Sequence, residues 1–177
     1  MLFLFLVNGG ENMLSGISSL GITFGWGVET VRGQKPTTFK QLHRINALGE
    51  INIENEQIDS SALEDTVTRY IQGRGDTGGT TNADINYTPE TVAEWKEVIE
   101  AYGEAKDSGL RIWFQTIIPG FEQADFVVAQ PPTKIPSPAK GQNELLVVSM
   151  NLTIDEYIGF DDKVEFENAS AVSEEDM

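Results

Sequence analysis

The chain has no cysteine and a single histidine, His43, among its 177 residues. The first absence removes disulfides, thiolate chemistry and Cys-based zinc or iron–sulfur centres. The second makes multi-histidine metal sites and Ser-His or Cys-His machinery hard to assemble. Basic residues are scarce: 12 Lys and Arg stand against 28 Asp and Glu, for a net charge of −16. That balance repels nucleic acid and anionic membranes rather than binding them. Long apolar runs are missing too. Met1–Val7 (Met-Leu-Phe-Leu-Phe-Leu-Val) is apolar but too short to span a bilayer. It has no basic n-region and no small-x-small cleavage site after it, so it does not read as a signal peptide. Residues 1–13 read instead as an interaction arm or a mis-called start, with Met13 the preferred first residue.

What is present is enough apolar sequence, 40% of residues, for one domain with one core. The reading places that domain at residues 14–154. Residues 155–177 carry nine acids against one base, Lys163, which is half of the net charge. They read as a solvated acidic tail.

Most of the domain reads as strands. From Leu20 to Val28 the even positions are apolar, with Gly or Thr between them. That predicts a strand, or an extended arm (residues 14–31) laid on a neighbour. Ala47–Ile58 reads as extended, most clearly at Leu48–Ile53, where Ile51 and Ile53 oppose Glu50, Asn52 and Glu54. Asp59–Thr81 reads as a long mobile arm with a polar turn and a glycine-rich stretch. Leu110–Ile118 alternates with large apolar groups on both faces, so both faces are expected to be covered. Pro119-Gly120 turns the chain into Phe121–Gln130. Pro131–Pro138 is a proline-rich connector, and Glu144–Ile154 is a further strand.

One helix is expected at residues 89–108. Thr88 is its cap, Pro89 its first residue, and Glu90 suits the positive end of the helix dipole. Val92, Trp95, Ile99 and Tyr102 form its apolar stripe, and Lys106 with Gly109 ends it. Trp95 and Ile99 are expected to anchor it on the sheet. The fold class is therefore mainly β with one helix (α+β): a β-sandwich or half-barrel with extended arms.

No motif carries catalysis. Asp76-Thr77-Gly78 matches the aspartic-protease triplet, but its flanks are glycines rather than the apolar loop that chemistry needs. Arg74-Gly75-Asp76 is a short adhesion-like tripeptide. Asn82-x-Asp84-x-Asn86 spaces oxygens as calcium loops do, without the central glycine or closing acid. Asn86-Tyr87-Thr88, Asn151-Leu152-Thr153 and Asn168-Ala169-Ser170 are glycosylation triplets by pattern alone. Glu64-Asp65 and Asp161-Asp162 read as solvated acid pairs and His43 as a packing or surface residue. Gly25-Trp26-Gly27 lacks what a phosphate loop requires. No catalytic, cofactor-binding or metal-binding residue is assigned, and no enzyme activity is expected.

The central pattern resembles the tail tube (major tail) proteins of long, non-contractile-tailed bacteriophages. It is carried by Gly49-Glu50-Ile51, then Ile58-Asp59-Ser60-Ser61-Ala62-Leu63-Glu64-Asp65-Thr66-Val67-Thr68-Arg69-Tyr70-Ile71-Gln72-Gly73. Asp76-Thr77-Gly78 and Ile85-Asn86-Tyr87-Thr88 follow before the helix. It is similar to family members in which an acidic phrase leads to Tyr-Ile-Pro-Gly and an Asp-x-Gly step, although Gln72 stands where proline is common. The resemblance spans about residues 14–154. It implies a subunit that forms hexameric rings stacked into a tube. Tape-measure, tail terminator and distal tail proteins would be its partners, and genome DNA would pass through without specific binding. Its place would be the virion tail, assembled in the bacterial host cytoplasm, with no membrane partner. Two other readings stand beside it: a secreted or surface β-sandwich binding module, and another β-rich virion protein such as a tail terminator.

Overall fold

The computed structural model of the protein describes residues 18–167. Within them lie nine strands and one helix. The helix, α1 (Pro89–Asp107), begins where the sequence says it should. The Thr88 hydroxyl accepts from the Thr91 N–H, and the Thr91 hydroxyl accepts from the Thr88 N–H, closing a reciprocal capping box. The apolar stripe is rotated from the expected one. Thr91, Trp95, Val98 and Ala105 are buried, whereas Val92 and Ile99 are only half-buried. Trp95 faces the sheet fully, so it sets the rotation of α1 and leaves Ile99 at the margin.

Seven strands make one antiparallel sheet: β1 (Thr23–Val28), β2 (Lys40–Leu42), β3 (Ile45–Leu48), β6 (Thr80–Asn86), β7 (Ile112–Ile117), β8 (Gln123–Gln130) and β9 (Val147–Asp162). Their order is β2-β1-β7-β8-β9-β6-β3. The remaining two, β4 (Glu54–Asp59) and β5 (Tyr70–Asp76), pair only with each other.

The edge strands β2 and β3 are joined by only His43 and Arg44. Three Cα steps of 3.8 Å cannot bridge more than about 11 Å. A flat seven-stranded sheet would hold its edges six spacings, about 29 Å, apart. The sheet is therefore curled into a half-barrel, the second of the two architectures the sequence left open. Arg44 turns this joint with a φ of 57°, unusual for a residue with a side chain.

Alternation assigns the two faces. Phe24, Trp26, Ile85, Ile112, Phe114, Val127, Met150 and Leu152 point inward and pack with Trp95 and Val98 of α1. Trp113, Ala124, Phe126 and Val128 point outward, where Phe39 and Phe166 cover them. Both faces of β7 and β8 are thus covered, as the apolar alternation of Leu110–Ile118 led one to expect for β7. Gly25 and Gly27 make the outer layer possible. A Cβ on Gly25 would collide with the Lys40 carbonyl and the Phe166 ring, and one on Gly27 with the Thr38 carbonyl.

Several expectations are corrected. The stretch 14–31 is no free arm where it is described: β1 sits inside the sheet. Leu48–Ile53 is no continuous strand, because β3 stops at Leu48 and β4 starts at Glu54. The chain leaves the sheet at Gly49, whose N–H donates to Asn82 O at 2.7 Å. The stretch 59–81 is not one loop. It holds β5, a turn at Gly78 and Gly79 with φ of 75° and 77°, and the start of β6. The acidic stretch is ordered at its beginning, since β9 runs on to Asp162. Beyond it, the Gln115 side-chain amide donates to Val164 O and accepts from Val164 N, both at 2.8 Å, pinning the chain so that Phe166 is buried. Residues 168–177, and the expectations for residues 1–17, lie outside the described residues.

Candidate assembly surface

The β4–β5 hairpin stands off the half-barrel. Its register runs from Glu54↔Asp76 to Asp59↔Tyr70, with a bulge that sets Gly73 and Arg74 against Glu56 alone. An isolated two-stranded hairpin is marginal in water at best. This one is tied at its tip. The Asp59 carboxylate accepts from Ser61 N–H at 2.8 Å, Asp65 accepts from Ala62 N–H at 2.8 Å, and Ser61 Oγ accepts from Arg69 N–H at 2.8 Å. These bonds to Ser61 hold the Asp59 carboxyl below the usual carboxylate range.

The hairpin presents apolar side chains to solvent. Ile58 and Ile71 are cross-strand partners, 45% and 55% exposed, and Leu63 at the tip is fully exposed with Val67 near it. Each such side chain contributes roughly 1.5–3 kcal/mol when fully buried. Held off the core, these side chains make an exposed apolar patch of the kind that marks interaction surfaces.

Open strand edges add to this surface. β9 pairs with β6 through Val147–Thr153 and with β8 through Thr153–Asp162. Each half of β9 therefore has one paired edge and one open edge. Two bulges, at Asp155 and Ile158, bend the strand where it passes from one neighbour to the other, and Gly159 takes a φ of 84° there. The open edge near Asp155–Tyr157 faces the hairpin base across a cleft of about 810 Å³, whose other wall includes Glu54, Arg74 and Thr77.

Charged groups fix this geometry. Glu29 is buried and accepts from Trp113 Nε1 at 2.7 Å and from Arg111 Nε at 3.1 Å. Arg111 Nη1 reaches Asp155 and Glu156, each at 3.0 Å. Burial pulls the Arg111 pKa down, but the bonds to Asp155, Glu156 and Glu29 outweigh it and raise the value. Arg111 thus ties β1 to the bend in β9. On the inner face, burial raises the Asp125 carboxyl above its usual range, and burial together with the hydrogen bond to Asp125 and its charge pushes Tyr157 up to about 12. At the edge joint, Glu94 of α1 accepts from His43 N–H at 2.9 Å and lies 2.6 Å from His43 Nδ1. Sequence reasoning left His43 without a carboxylate because Glu94 is 51 residues away. The Glu29–Arg111 pair, 82 residues apart, was equally invisible.

The tempting motifs fall apart in space or serve the backbone. Asp76 accepts from Gly78 N–H at 3.0 Å in a turn. Asn82 donates its amide to Asp84 at 3.0 Å and to Ser149 at 3.2 Å, and Asn86 bonds Asn46 at 2.6 Å. Asp161 pairs with Lys35 at 3.2 Å, while Asp65 caps the hairpin tip. Asn86 and Asn151 lie in β6 and β9, and Asn168 lies outside the described residues. No cluster of three metal-ligating His, Asp or Glu occurs among the described residues, and no described helix is long and apolar enough to cross a membrane.

Comparison with protein-family models finds no match, and no curated protein matches the chain.

Proposed function

We propose that this chain is a structural subunit of a bacteriophage tail tube, polymerising as stacked hexameric rings that form a conduit for DNA ejection. The observation that carries the reading is the β4–β5 hairpin, a tied arm with apolar residues held out to solvent. It falls on the same residues whose pattern resembles the tail-tube family. The half-barrel with open edges along β9 supports it, since edges left bare in a subunit are satisfied by neighbours in an assembly. The net charge of −16 suits a passage that DNA crosses without sticking. Tape-measure, terminator and distal tail proteins are the partners this reading names.

Negative-stain electron microscopy of the concentrated chain, with light scattering of the same sample, tests it. Rings or hollow tubes are expected. Replacing Ser60–Arg69 by a short turn should leave a folded subunit that forms neither. A chain that stays monomeric at high concentration, or a tipless variant that still builds tubes, refutes the arm's assignment.

A further inference from the structure

The second half of β9 leaves one backbone edge bare. Ile154 N–H donates to Gly79 O at 2.9 Å, and there the pairing with β6 stops. From Asp155 to Phe160 the strand is paired with β8 alone, so its other edge has no strand beside it among the described residues. Lys35 Nζ donates to Asp162 O at 2.9 Å and closes the far end. The bare stretch runs for about 20 Å at a rise of roughly 3.3 Å per residue. No lysine or proline blunts it, and its two bulges bend it without covering it. The cleft of about 810 Å³ beside the hairpin lies along Asp155–Tyr157 of this edge. Its lining is acidic: Glu54, Glu56 and Asp76 come from the hairpin, Asp155 and Glu156 from β9. Arg111 holds the last two, and Arg74 is the one base in the lining.

We propose that this edge binds an extended, basic segment of another protein, which adds to β9 as a strand. Backbone pairing with Asp155–Phe160 supplies the docking and is blind to the guest's side chains. Charge supplies the choice. Lys or Arg at alternate positions of the guest share one face and meet Glu54, Glu56 and Asp76 across the cleft. A second copy of this chain is a poor guest: its net charge is −16, and none of its described strands carries two basic residues. Nucleic acid is repelled by the same carboxylates. The site is separate from the apolar hairpin tip at Leu63 and Val67, and it holds whether or not the chain forms tubes.

The test uses the full chain at a dilution where light scattering shows no tubes. The probe is the labelled peptide acetyl-Thr-Lys-Val-Lys-Val-Lys-Thr-amide. Fluorescence anisotropy should show saturable binding, and Glu54→Lys combined with Glu56→Lys should weaken it at least about tenfold. Both glutamates are exposed, so the double variant keeps the fold, which far-UV circular dichroism checks. Two further peptides carry N-methyl groups, one on its lysine nitrogens and the other on its valine nitrogens. Each keeps the charge and loses the N–H groups along one edge only. One of the two should bind at least about tenfold more weakly than the parent peptide. If both bind as well as the parent, the contact is charge alone and the proposal is overturned. If the parent peptide does not bind, the acids only guard a bare edge, which overturns it equally. These measurements need no tube, so a failure of the tail-tube reading leaves their outcome intact.

Discussion

Trp95 offers a test of whether burial alone sets the stability of the helix–sheet contact. The ring is 0% exposed and stacks on Phe114 with centroids 6.5 Å apart at 22°. Its Nε1–H is buried with no hydrogen-bond acceptor among the described residues. Removing a buried indole to Ala costs about 3–5 kcal/mol through lost contacts and the cavity left behind. A buried donor without an acceptor, however, carries a cost of about 1–3 kcal/mol that disappears with the indole. Trp95→Ala should therefore fall near 3 kcal/mol, at the low end of its class. Trp95→Phe gives up part of the ring but also removes the unpaired N–H. Its stability should lie within about 1 kcal/mol of the parent. For a domain of this size that is a change of roughly 2–4 °C in Tm. Urea unfolding followed by far-UV circular dichroism, at unchanged slope, separates the two variants. If Trp95→Phe is as unstable as Trp95→Ala, the N–H is satisfied in solution and the argument from its burial is wrong.

Arg111→Ala should destabilise by about 3–5 kcal/mol, because it strands the buried Glu29 carboxylate with Trp113 as its remaining side-chain partner; a loss under about 1 kcal/mol in urea unfolding would contradict this. Asp125→Asn should raise stability at neutral pH. Burial raises the folded pKa of Asp125 above its unfolded value, so the charged form is penalised above the folded pKa. The gain should shrink as pH falls through that pKa and vanish below the unfolded one, and urea midpoints that stay equally separated at acid pH would refute it. Leu63→Asp should leave thermal unfolding unchanged, since Leu63 is fully exposed, and under the proposed tail-tube function it should abolish tubes in electron micrographs; a loss of Tm would place Leu63 in the fold's own core.

Much of the fold was legible because its causes are local. Thr88, Pro89 and the reversal at Pro119-Gly120 state their roles in a few residues, and Val148, Met150 and Leu152 alternate cleanly along β9. What was illegible depends on the curl of the sheet. The inward stripe of α1 turns toward Thr91 and Val98 because the half-barrel, not the helix, chooses which residues meet Phe114. Asp155–Asp162 looked like solvated tail because acids are rare in strands, yet Arg111 and Lys35 receive Asp155, Glu156 and Asp161 there. The arm was visible as a polar, glycine-rich interruption. Its true start at Glu54 was hidden, because the break between β3 and β4 follows from Gly49 bonding Asn82 across the sheet. The cleft between β9 and the hairpin has no sequence signature at all, since it exists only once the bend at Asp155 has formed.

The position of β9 sets the order in which the half-barrel can form. It is the last strand in the described chain and joins β8 to β6 in the middle of the sheet. Until Val147 and the residues after it have left the ribosome, the chain holds two separate pieces of sheet, β2-β1-β7-β8 and β3-β6, with nothing pairing them. Such long-range pairing is the slow part of folding. An unfinished chain thus cannot form the half-barrel, and neither the bend at Asp155 nor the cleft beside the hairpin exists yet. Synthesis order thus leaves the two pieces of the sheet unjoined until the last described strand is made, whereas the β4–β5 hairpin needs only its own two strands.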